Sequence, residues 1–169
     1  MIETGKIYTE NCLETLKRMP DGLIDMTITS PPYDDLRDYN GYHFPVEEIA
    51  AGLFAKTKPG GVVIWVVADR TINGSESLTS FQHAFVFRKA GFLVHDTMLY
   101  VKNNPIPSDC GRRYRQAFEY MFCFSKGQPK TFNPLTEPTK SAGQKIKAFR
   151  ITELGRGNVP DEDIGRKVK

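Results

Sequence analysis

A short apolar stretch that ends in two consecutive prolines constrains the fold of this chain more than any other feature. Residues 23–28 read Leu-Ile-Asp-Met-Thr-Ile, as expected of a strand in a sheet, and Thr29-Ser30-Pro31-Pro32-Tyr33 follows at once. Because proline lacks a backbone N–H and fixes its φ angle, the strand cannot continue through this segment. We therefore predict a strand that opens into a loop carrying a hydroxyl group, free carbonyl groups and an aromatic ring.

The first 125 residues alternate between strand and helix patterns. Strands are predicted near 6–9, 24–29, 61–67, 92–101 and 118–125, and helices near 11–19, 45–57 and 78–90. This alternation is typical of an α/β sheet with crossover helices. The last two strands are separated by a polar loop without a helix, which predicts an antiparallel pair at the end of the sheet.

Composition indicates an ordinary globular chain. Its 169 residues are 40% hydrophobic, and no apolar run approaches the roughly 20 residues that span a bilayer. With no signal-peptide pattern at the N-terminus, we predict a cytoplasmic location and no membrane partner. Cys12, Cys110 and Cys123 are too widely spaced for a disulfide framework or a zinc site. The acidic residues at 34–38 lack the glycine and distal glutamate of a calcium loop, so we predict no metal.

Positive charge is concentrated in the last quarter of the chain. The formal net charge is +3, and residues 126–169 hold 10 Lys and Arg against 5 Asp and Glu. Apolar periodicity fades in the same stretch. We therefore predict two regions, a domain at 1–125 and a basic, irregular extension at 126–169.

The residue types of the proline loop suit a planar heterocycle that bears an amino group. The Ser30 hydroxyl and the Pro31 carbonyl can accept hydrogen bonds from the amino hydrogens, and the Tyr33 ring can stack on the ring system, as a base flipped out of a duplex requires. A proline-rich turn with a surface tyrosine is the alternative interpretation of the same residues. The loop alone does not decide between them.

The segments around the loop decide it, because they resemble, in order, those of the DNA amino-methyltransferases. These enzymes transfer a methyl group from S-adenosylmethionine to N4 of cytosine or N6 of adenine. The resemblance is carried by residues 7–16, 19–22, 24–33, 58–67, 81–91, 102–105, 112–120 and 122–126. The order of segments is that of the permuted class in which the Ser-Pro-Pro-Tyr half comes first.

The resemblance implies a Rossmann-like, S-adenosylmethionine-dependent methyltransferase fold. Its sheet is mostly parallel, ends in an antiparallel pair, and has the strand order 3-2-1-4-5-7-6. The strands at 6–9 and 24–29 would take positions three and four. Strands one and two lie between those positions and have no counterpart in this sequence.

A glycine-rich cofactor loop, Phe-x-Gly-x-Gly in the family, is also expected and has no match here. Gly155-Arg156-Gly157 is the nearest glycine pair, and we interpret it as a turn. The resemblance therefore implies an incomplete fold whose C-terminal cofactor-binding half is not in this chain. A partner chain or a further segment would supply it, and residues 126–169 would begin the target-recognition segment.

The resemblance also assigns roles to residues. The family usually has an acidic residue where Asn11 stands, so that position brings a hydrogen-bonding group without charge. The implied catalytic residues are Ser30, Pro31, Pro32 and Tyr33, and the implied cofactor-binding residues are Asn11, Cys12, Ser30 and Pro31.

Double-stranded DNA is the implied partner, and two polar loops are candidates to contact it. An arginine cluster interleaved with an aromatic residue suits phosphate contacts, although a solvated basic loop would look the same. Two asparagines before Pro105 offer donors and acceptors, although Asn-Pro is also a common turn. The candidate DNA-binding residues are Asn103, Asn104, Arg112, Arg113 and Arg115.

Serine ahead of Pro-Pro-Tyr is more common in the cytosine-N4 enzymes of the family, which favours cytosine; adenine-N6 methylation is the alternative. A different class of function also stays open. The chain could be a non-catalytic nucleic-acid-binding remnant or one subunit of a split methyltransferase. A methyltransferase acting on RNA or on a protein amide is a further alternative.

Overall fold

A computed structural model of the chain describes residues 2–32, 44–105, 113–136, 149–152 and 155–158, the last two ranges as backbone only. The chain forms two compact units, Met1–Phe132 and Asn133–Lys169. The elements of the first unit are α1 (Cys12–Arg18), β1 (Ile24–Thr29), α2 (Val46–Lys56), β2 (Thr57–Val67), β3 (Thr71–Ile72), β4 (Ser75–Glu76), α3 (Thr79–Lys89), β5 (Leu93–Val101) and β6 (Phe118–Ser125). The second unit contains β7 (Phe149–Thr152) and β8 (Gly155–Asn158).

The first unit is built on a mixed sheet whose described strands lie in the order β1-β2-β6-β5. β1 and β2 are parallel, whereas β6 is antiparallel to both β2 and β5. This arrangement confirms the α/β class and the terminal antiparallel pair. The four strands correspond to positions 4-5-7-6 of the expected order. Among the described strands, β1 and β2 are the only neighbours that pair in parallel.

The strand predicted near 6–9 is wrong. These residues are described and form no strand, and the side chain of Ile7 is 97% exposed. The physical reason is the absence of a ladder to join, because a lone extended segment is unstable without a hydrogen-bonded neighbour. The two strands that would separate position three from position four have no counterpart in the sequence.

The turn predicted at Gly155-Arg156-Gly157 is also wrong. These residues belong to β8, which pairs antiparallel with β7. The ladder pairs one edge of β8, and β7 is the strand that the sequence pattern failed to show.

The start of β2 differs from the prediction in a smaller way. The strand begins at Thr57, four residues before the predicted start, and includes Gly60 at a φ of +82°. The register with β1 shifts between Ile24 and Met26, so the positive φ of glycine accommodates an irregularity in the ladder. The residues between the predicted helix and the predicted strand are therefore part of β2, which has a kink at Gly60.

The core lies on one face of the sheet, under the three described helices. Phe87 of α3 stacks on Phe124 with ring centroids 4.3 Å apart and lies 4.6 Å from the Trp65 ring. Trp65 is 1% exposed, and its indole N–H donates to Nδ1 of the buried His83 at 3.1 Å. Leu16 of α1 and Leu53 of α2 complete the same cluster. Burial of these aromatic rings is the main stabilising contribution that the unit shows.

No helix in the described ranges combines the length and the apolar character needed to cross a membrane.

Candidate active site

Strand polarity brings the proline loop to one edge of the sheet. β1 and β2 are parallel, and Thr29 at the end of β1 pairs with Trp65 near the end of β2. We define this side as the carboxyl edge. Ligands of α/β sheets bind outside the carboxyl ends of the strands, so the loop that follows Thr29 occupies the expected position for a site.

The antiparallel pair directs its loop to the same edge. Val101 at the end of β5 pairs with Phe118 at the start of β6, and Tyr120 pairs with Val67 at the end of β2. The Lys102 backbone N–H donates to the Ala117 carbonyl at 2.7 Å and extends this ladder. The described parts of the loop, 102–105 and 113–117, therefore lie at the carboxyl edge with the proline loop.

The proline loop combines an exposed hydroxyl with a buried ring. Ser30 is exposed, Pro31 is buried and Pro32 is half-buried. No residue that the structure describes hydrogen-bonds to the Ser30 hydroxyl, which leaves its donor and acceptor capacity for a ligand. Tyr33 lies outside the described residues, and its stacking role stays a prediction.

Asn11 and Cys12 lie at the start of α1. The Asn11 side-chain oxygen accepts a hydrogen bond from the Leu13 backbone N–H at 2.9 Å, so Asn11 is the N-cap of the helix. Its amide N–H groups remain as donors, and the Cys12 side chain is exposed. The neighbouring Glu10 carboxylate accepts from the Thr15 hydroxyl at 2.6 Å and pairs with Arg18.

The position of α1 is set by the short segment 19–23, which joins it to β1 and makes the helix run back along the strand. The first residues of α1 are thereby directed toward the carboxyl edge. Asn11 and Ser30 therefore both lie toward the carboxyl edge, and their role in cofactor binding stays a prediction.

A small hairpin supports the arginine cluster. β3 and β4 are joined by Asn73 and Gly74, both at positive φ, which is the preferred sequence of a tight hairpin turn. The Arg113 guanidinium donates to the Gly74 carbonyl. Arg115 is exposed in the same loop, and Arg112 lies outside the described residues.

The other loop candidates are exposed at the same edge. Asn103 and Asn104 both present their side chains to solvent. Beside them, Lys102 pairs with Glu119 at 2.5 Å, which gives Glu119 a structural ion-pair partner. Ser30, Asn103, Asn104, Arg113 and Arg115 thus lie at the same edge of the sheet, although β1 and β5 are separated by β2 and β6, and Arg113 contacts the hairpin.

Asp69 is a residue of this edge that sequence reasoning missed. It is 5% exposed and accepts hydrogen bonds from the Ser80 backbone N–H at 2.9 Å and the Ser80 hydroxyl at 2.5 Å. It also accepts from Ser77 at 3.3 Å. Asp69 therefore anchors the start of α3 to the end of β2. An acidic residue directly after a buried strand, followed by serines at a helix start, was the available signal.

No cluster of three or more metal-binding side chains is found in the described ranges.

The Cys123 thiol has a raised pKa. Burial is the larger cause, and the nearby Asp96 raises the pKa further. Cys123 is therefore a neutral, buried thiol. Cys110 lies outside the described residues.

A sheet of this order, with its loops gathered at the carboxyl edge, is the framework of the S-adenosylmethionine-dependent methyltransferase fold. Residues 24–162 match the model of the DNA methylase family N6_N4_Mtase, and the chain belongs to this family.

Individual relatives are longer than this chain. The orphan methyltransferase M.BamHII of Bacillus amyloliquefaciens is 56% identical over 117 residues, which are 69% of this chain and 44% of that protein. The type II methyltransferase M.BglII of Bacillus subtilis is 25% identical over 151 residues, covering 83% of this chain and 41% of the relative. The chain therefore spans less than half the length of these two relatives.

Solved structures show the same partial coverage. The cytosine-N4-specific PvuII DNA methyltransferase superposes with a TM-score of 0.62 at 23% identity, over 73% of this chain and 50% of its own. M1.HpyAVI, crystallised in complex with SAM, gives a TM-score of 0.58 at 26% identity, over 77% of this chain and 58% of its own.

Proposed function

We propose that this chain forms the base-binding and catalytic part of a DNA amino-methyltransferase. The reaction is transfer of a methyl group from S-adenosylmethionine to the exocyclic amino group of a flipped base, with cytosine N4 favoured. The observation that carries the proposal is the exposed Ser30 hydroxyl beside two prolines at the carboxyl edge. Since the chain spans 44% of M.BamHII, activity requires the remaining part of the enzyme. That part is another segment or a partner chain, and the 169 residues alone are inactive.

The chemistry of an amino group on a base explains the choice of residues. The nitrogen is a poor nucleophile because its lone pair is delocalised into the ring. The Ser30 hydroxyl and the Pro31 carbonyl accept hydrogen bonds from its two hydrogens and draw it toward tetrahedral geometry. Pro31 and Pro32 have no N–H group, so this stretch is not drawn into a ladder and its carbonyls stay available.

Positioning and polarisation are the main tasks of the chain in this mechanism. S-adenosylmethionine supplies an already activated methyl group when it is bound, and Asn11, Cys12, Ser30 and Pro31 are the residues that would hold it. No covalent link to the enzyme is needed, so the neutral Cys123 has no part in the reaction. Tyr33 stacks on the flipped base and replaces part of the stacking lost in the duplex.

Cytosine is favoured by Ser30, because serine at this position resembles the cytosine-N4 enzymes of the family. Adenine N6 is the alternative within the same mechanism, since both bases present an amino group to the same acceptors. The PvuII enzyme is cytosine-N4-specific by name, but at 23% identity the likeness supports the fold alone.

Contact with duplex DNA is proposed through the exposed loops of the same edge. Asn103, Asn104, Arg112, Arg113 and Arg115 are the proposed contacts. Support comes from the position of the described loop ends at the carboxyl edge, where the Gly74 carbonyl accepts a hydrogen bond from the Arg113 guanidinium. The cytoplasm is the proposed location, because the DNA substrate is accessible there.

The direct test replaces Ser30 by alanine. The chain is combined with the part of M.BamHII that it does not match, and transfer of labelled methyl groups to duplex DNA is measured. Ser30→Ala should lower turnover by roughly a hundredfold or more, as loss of a positioned hydrogen bond in a transition state does. The matched control is Ser75→Ala, an exposed serine of the hairpin, which should keep normal turnover.

Normal turnover in Ser30→Ala would contradict the assigned mechanism. Hydrolysis of the labelled DNA to nucleosides distinguishes N4-methylcytosine from N6-methyladenine. RNA and protein substrates in parallel reactions test the remaining methyltransferase alternatives, and DNA binding without any methyl transfer would favour the non-catalytic remnant.

A second test addresses the DNA-binding loop. Arg113→Ala should reduce the slope of log K against log salt concentration by about one unit, because one phosphate contact is lost. Arg88→Ala is the matched control, since Arg88 lies in the last turn of α3, away from the carboxyl edge. An unchanged slope in Arg113→Ala would remove this arginine from the interface.

A further inference from the structure

The β3–β4 hairpin depends on the rest of the chain for its position. Each of its strands has 2 residues, and all of these residues are exposed. Because a hairpin of this size is at best marginally stable in water, contacts outside it must keep it ordered. At its base, the Ser77 backbone N–H donates to the Arg70 carbonyl at 2.9 Å. At its tip, the Gly74 carbonyl accepts from the Arg113 guanidinium.

A buried carboxylate lies next to the base of the hairpin. Asp69 is 5% exposed, and its Oδ1 accepts from the Ser77 hydroxyl at 3.3 Å and from the Ser80 backbone N–H at 2.9 Å. Its Oδ2 accepts from the Ser80 hydroxyl at 2.5 Å. The Ser77 hydroxyl oxygen accepts in turn from the Arg70 backbone N–H at 3.3 Å. Asp69 therefore joins the end of β2 both to the base of the hairpin and to the start of α3.

The junction between the hairpin and α3 is strained. Leu78 has a φ of +58°, a left-handed conformation that is unfavourable for a residue with a branched side chain. Leu78 is also the N-cap residue of α3 and provides no side-chain cap. The Asp69 carboxylate takes this role from outside the helix, because it accepts from the backbone N–H of Ser80 in the first turn. Strain of this kind persists only where surrounding contacts hold the backbone, and Asp69 provides such contacts on both sides of Leu78.

We infer that Asp69 is a positioning residue for Arg113. Its carboxylate fixes the base of the hairpin, and the Gly74 carbonyl at the tip then orients the Arg113 guanidinium, whose other N–H groups remain as donors. The inference rests on the proposed function, in which Arg113 contacts a DNA phosphate. An arginine that is held in place before binding loses less conformational freedom on contact, so Asp69 raises DNA affinity without touching the DNA.

The charge of Asp69 separates positioning from simple electrostatics. Asp69→Asn removes a negative charge, so electrostatic attraction alone predicts tighter binding to the phosphate backbone. Positioning predicts the opposite result. The asparagine amide brings an NH₂ group, a donor, to a place where the carboxylate accepts hydrogen bonds from Ser77 and Ser80. The hairpin should therefore loosen, and DNA binding should weaken.

Binding of the full 169-residue chain to a fluorescently labelled DNA duplex is measured at low salt. Asp69→Asn should weaken binding by roughly fivefold, and this loss should disappear when Arg113 is already replaced by alanine, because coupled residues are not additive. Asp25→Asn is the matched control. This exposed aspartate pairs with Lys58 at the start of β1, far from the carboxyl edge, and its replacement changes the net charge equally but should not weaken binding.

A second measurement needs no DNA. NMR of nitrogen-labelled arginine side chains follows the Arg113 guanidinium, whose signal is assigned by its absence in Arg113→Ala. Its N–H groups should exchange slowly with water in the wild type and in Asp25→Asn, and quickly in Asp69→Asn. Ser77→Ala removes the hydrogen bond at the hairpin base but keeps those between Asp69 and Ser80. It should also speed the exchange, and it carries the test if Asp69→Asn does not fold.

Weaker DNA binding that depends on Arg113, together with fast guanidinium exchange, supports the inference. An equal loss of affinity with and without Arg113 would indicate a general loss of structure and overturns it. Slow guanidinium exchange in both Asp69→Asn and Ser77→Ala also overturns it, as does tighter DNA binding in Asp69→Asn where Arg113→Ala weakens binding. If Arg113→Ala leaves DNA affinity unchanged, the proposed DNA contact fails, and the exchange rates alone decide whether Asp69 positions Arg113.

Discussion

The two faces of the central sheet differ although they are made by the same strands. On the core face, Val63, Trp65 and Val67 of β2 are buried beneath helices. On the opposite face, the alternate residues Val62, Ile64 and Val66 are equally apolar but only half-buried. A strand that is apolar on both sides is typical of a sheet covered on both faces. The sequence of β2 is therefore suited to a larger assembly than the described part of this chain provides.

The largest expected difference between the faces is in folding stability. Phe87→Ala removes a fully buried ring that contacts Trp65 and Phe124, and should lower the free energy of unfolding by about 3–5 kcal/mol. Phe85→Ala is the matched control on the same helix, where the ring is 68% exposed, and should change it by less than about 0.5 kcal/mol. Urea unfolding of the isolated chain gives both values. Equal losses would show that α3 does not pack as described.

A substitution on the face opposite the core should have little effect in the same assay. Ile28→Thr keeps a β-branched residue in β1, and should change the free energy of unfolding of the isolated chain by less than about 0.5 kcal/mol. The reason is that the Ile28 side chain is already largely in water. A loss above about 2 kcal/mol would mean that another part of the same chain covers this face, and would remove the contrast between the two faces.

The smallest expected effect is a pH dependence at the rim of the core face. Lys56 at the end of α2 pairs with Asp21 at 2.6 Å and holds the pKa of this carboxyl below its ordinary value of 3.8. A carboxyl whose pKa is lower in the folded state stabilises the fold above its unfolded pKa, and the stabilisation is lost as pH falls through the folded value. Asp21→Asn should therefore be slightly less stable than the wild type above about pH 5.

The difference should be small because Asp21 is exposed to solvent. Urea midpoints measured for both proteins between neutral and strongly acidic pH should converge below pH 3.8. If the urea midpoints of the two proteins differ by the same amount at every pH, the ion pair between Asp21 and Lys56 is not the cause of the difference in stability.

Sequence reasoning predicted the elements that have strong local signals. The alternation of apolar strands and helices indicated the α/β class, and Pro31 and Pro32 fixed the end of β1. It failed at 6–9, where an extended, partly apolar pattern has no neighbouring strand to pair with. A strand is stable only when a second strand pairs with it, and that second strand can be far away in the sequence. The local pattern alone therefore predicts strands where none form.

Two features of the candidate site could not be found by residue type alone. Asp69 acts through contacts with Ser77 and Ser80, which the sequence does not place next to it in space. The contact between Arg113 and Gly74 joins a loop and a hairpin 39 residues apart. The Asp69 contacts depend on the fold of the β3–β4 hairpin between β2 and α3, whereas the Arg113 contact depends on the antiparallel placement of β6 beside β2. The roles of Tyr33 and Arg112 stay predictions.

Hydrogen–deuterium exchange measures directly whether the outer edge of β1, which pairs with no described strand, is open in this chain. The 169-residue chain is measured alone and with the unmatched part of M.BamHII. If the remaining part of the enzyme pairs with this edge, amides of Ile24–Thr29 that point away from β2 should exchange much more slowly in the mixture, while exchange in α2 and α3 should not change. Unchanged exchange in β1, or new protection confined to the helices of the core face, would contradict it.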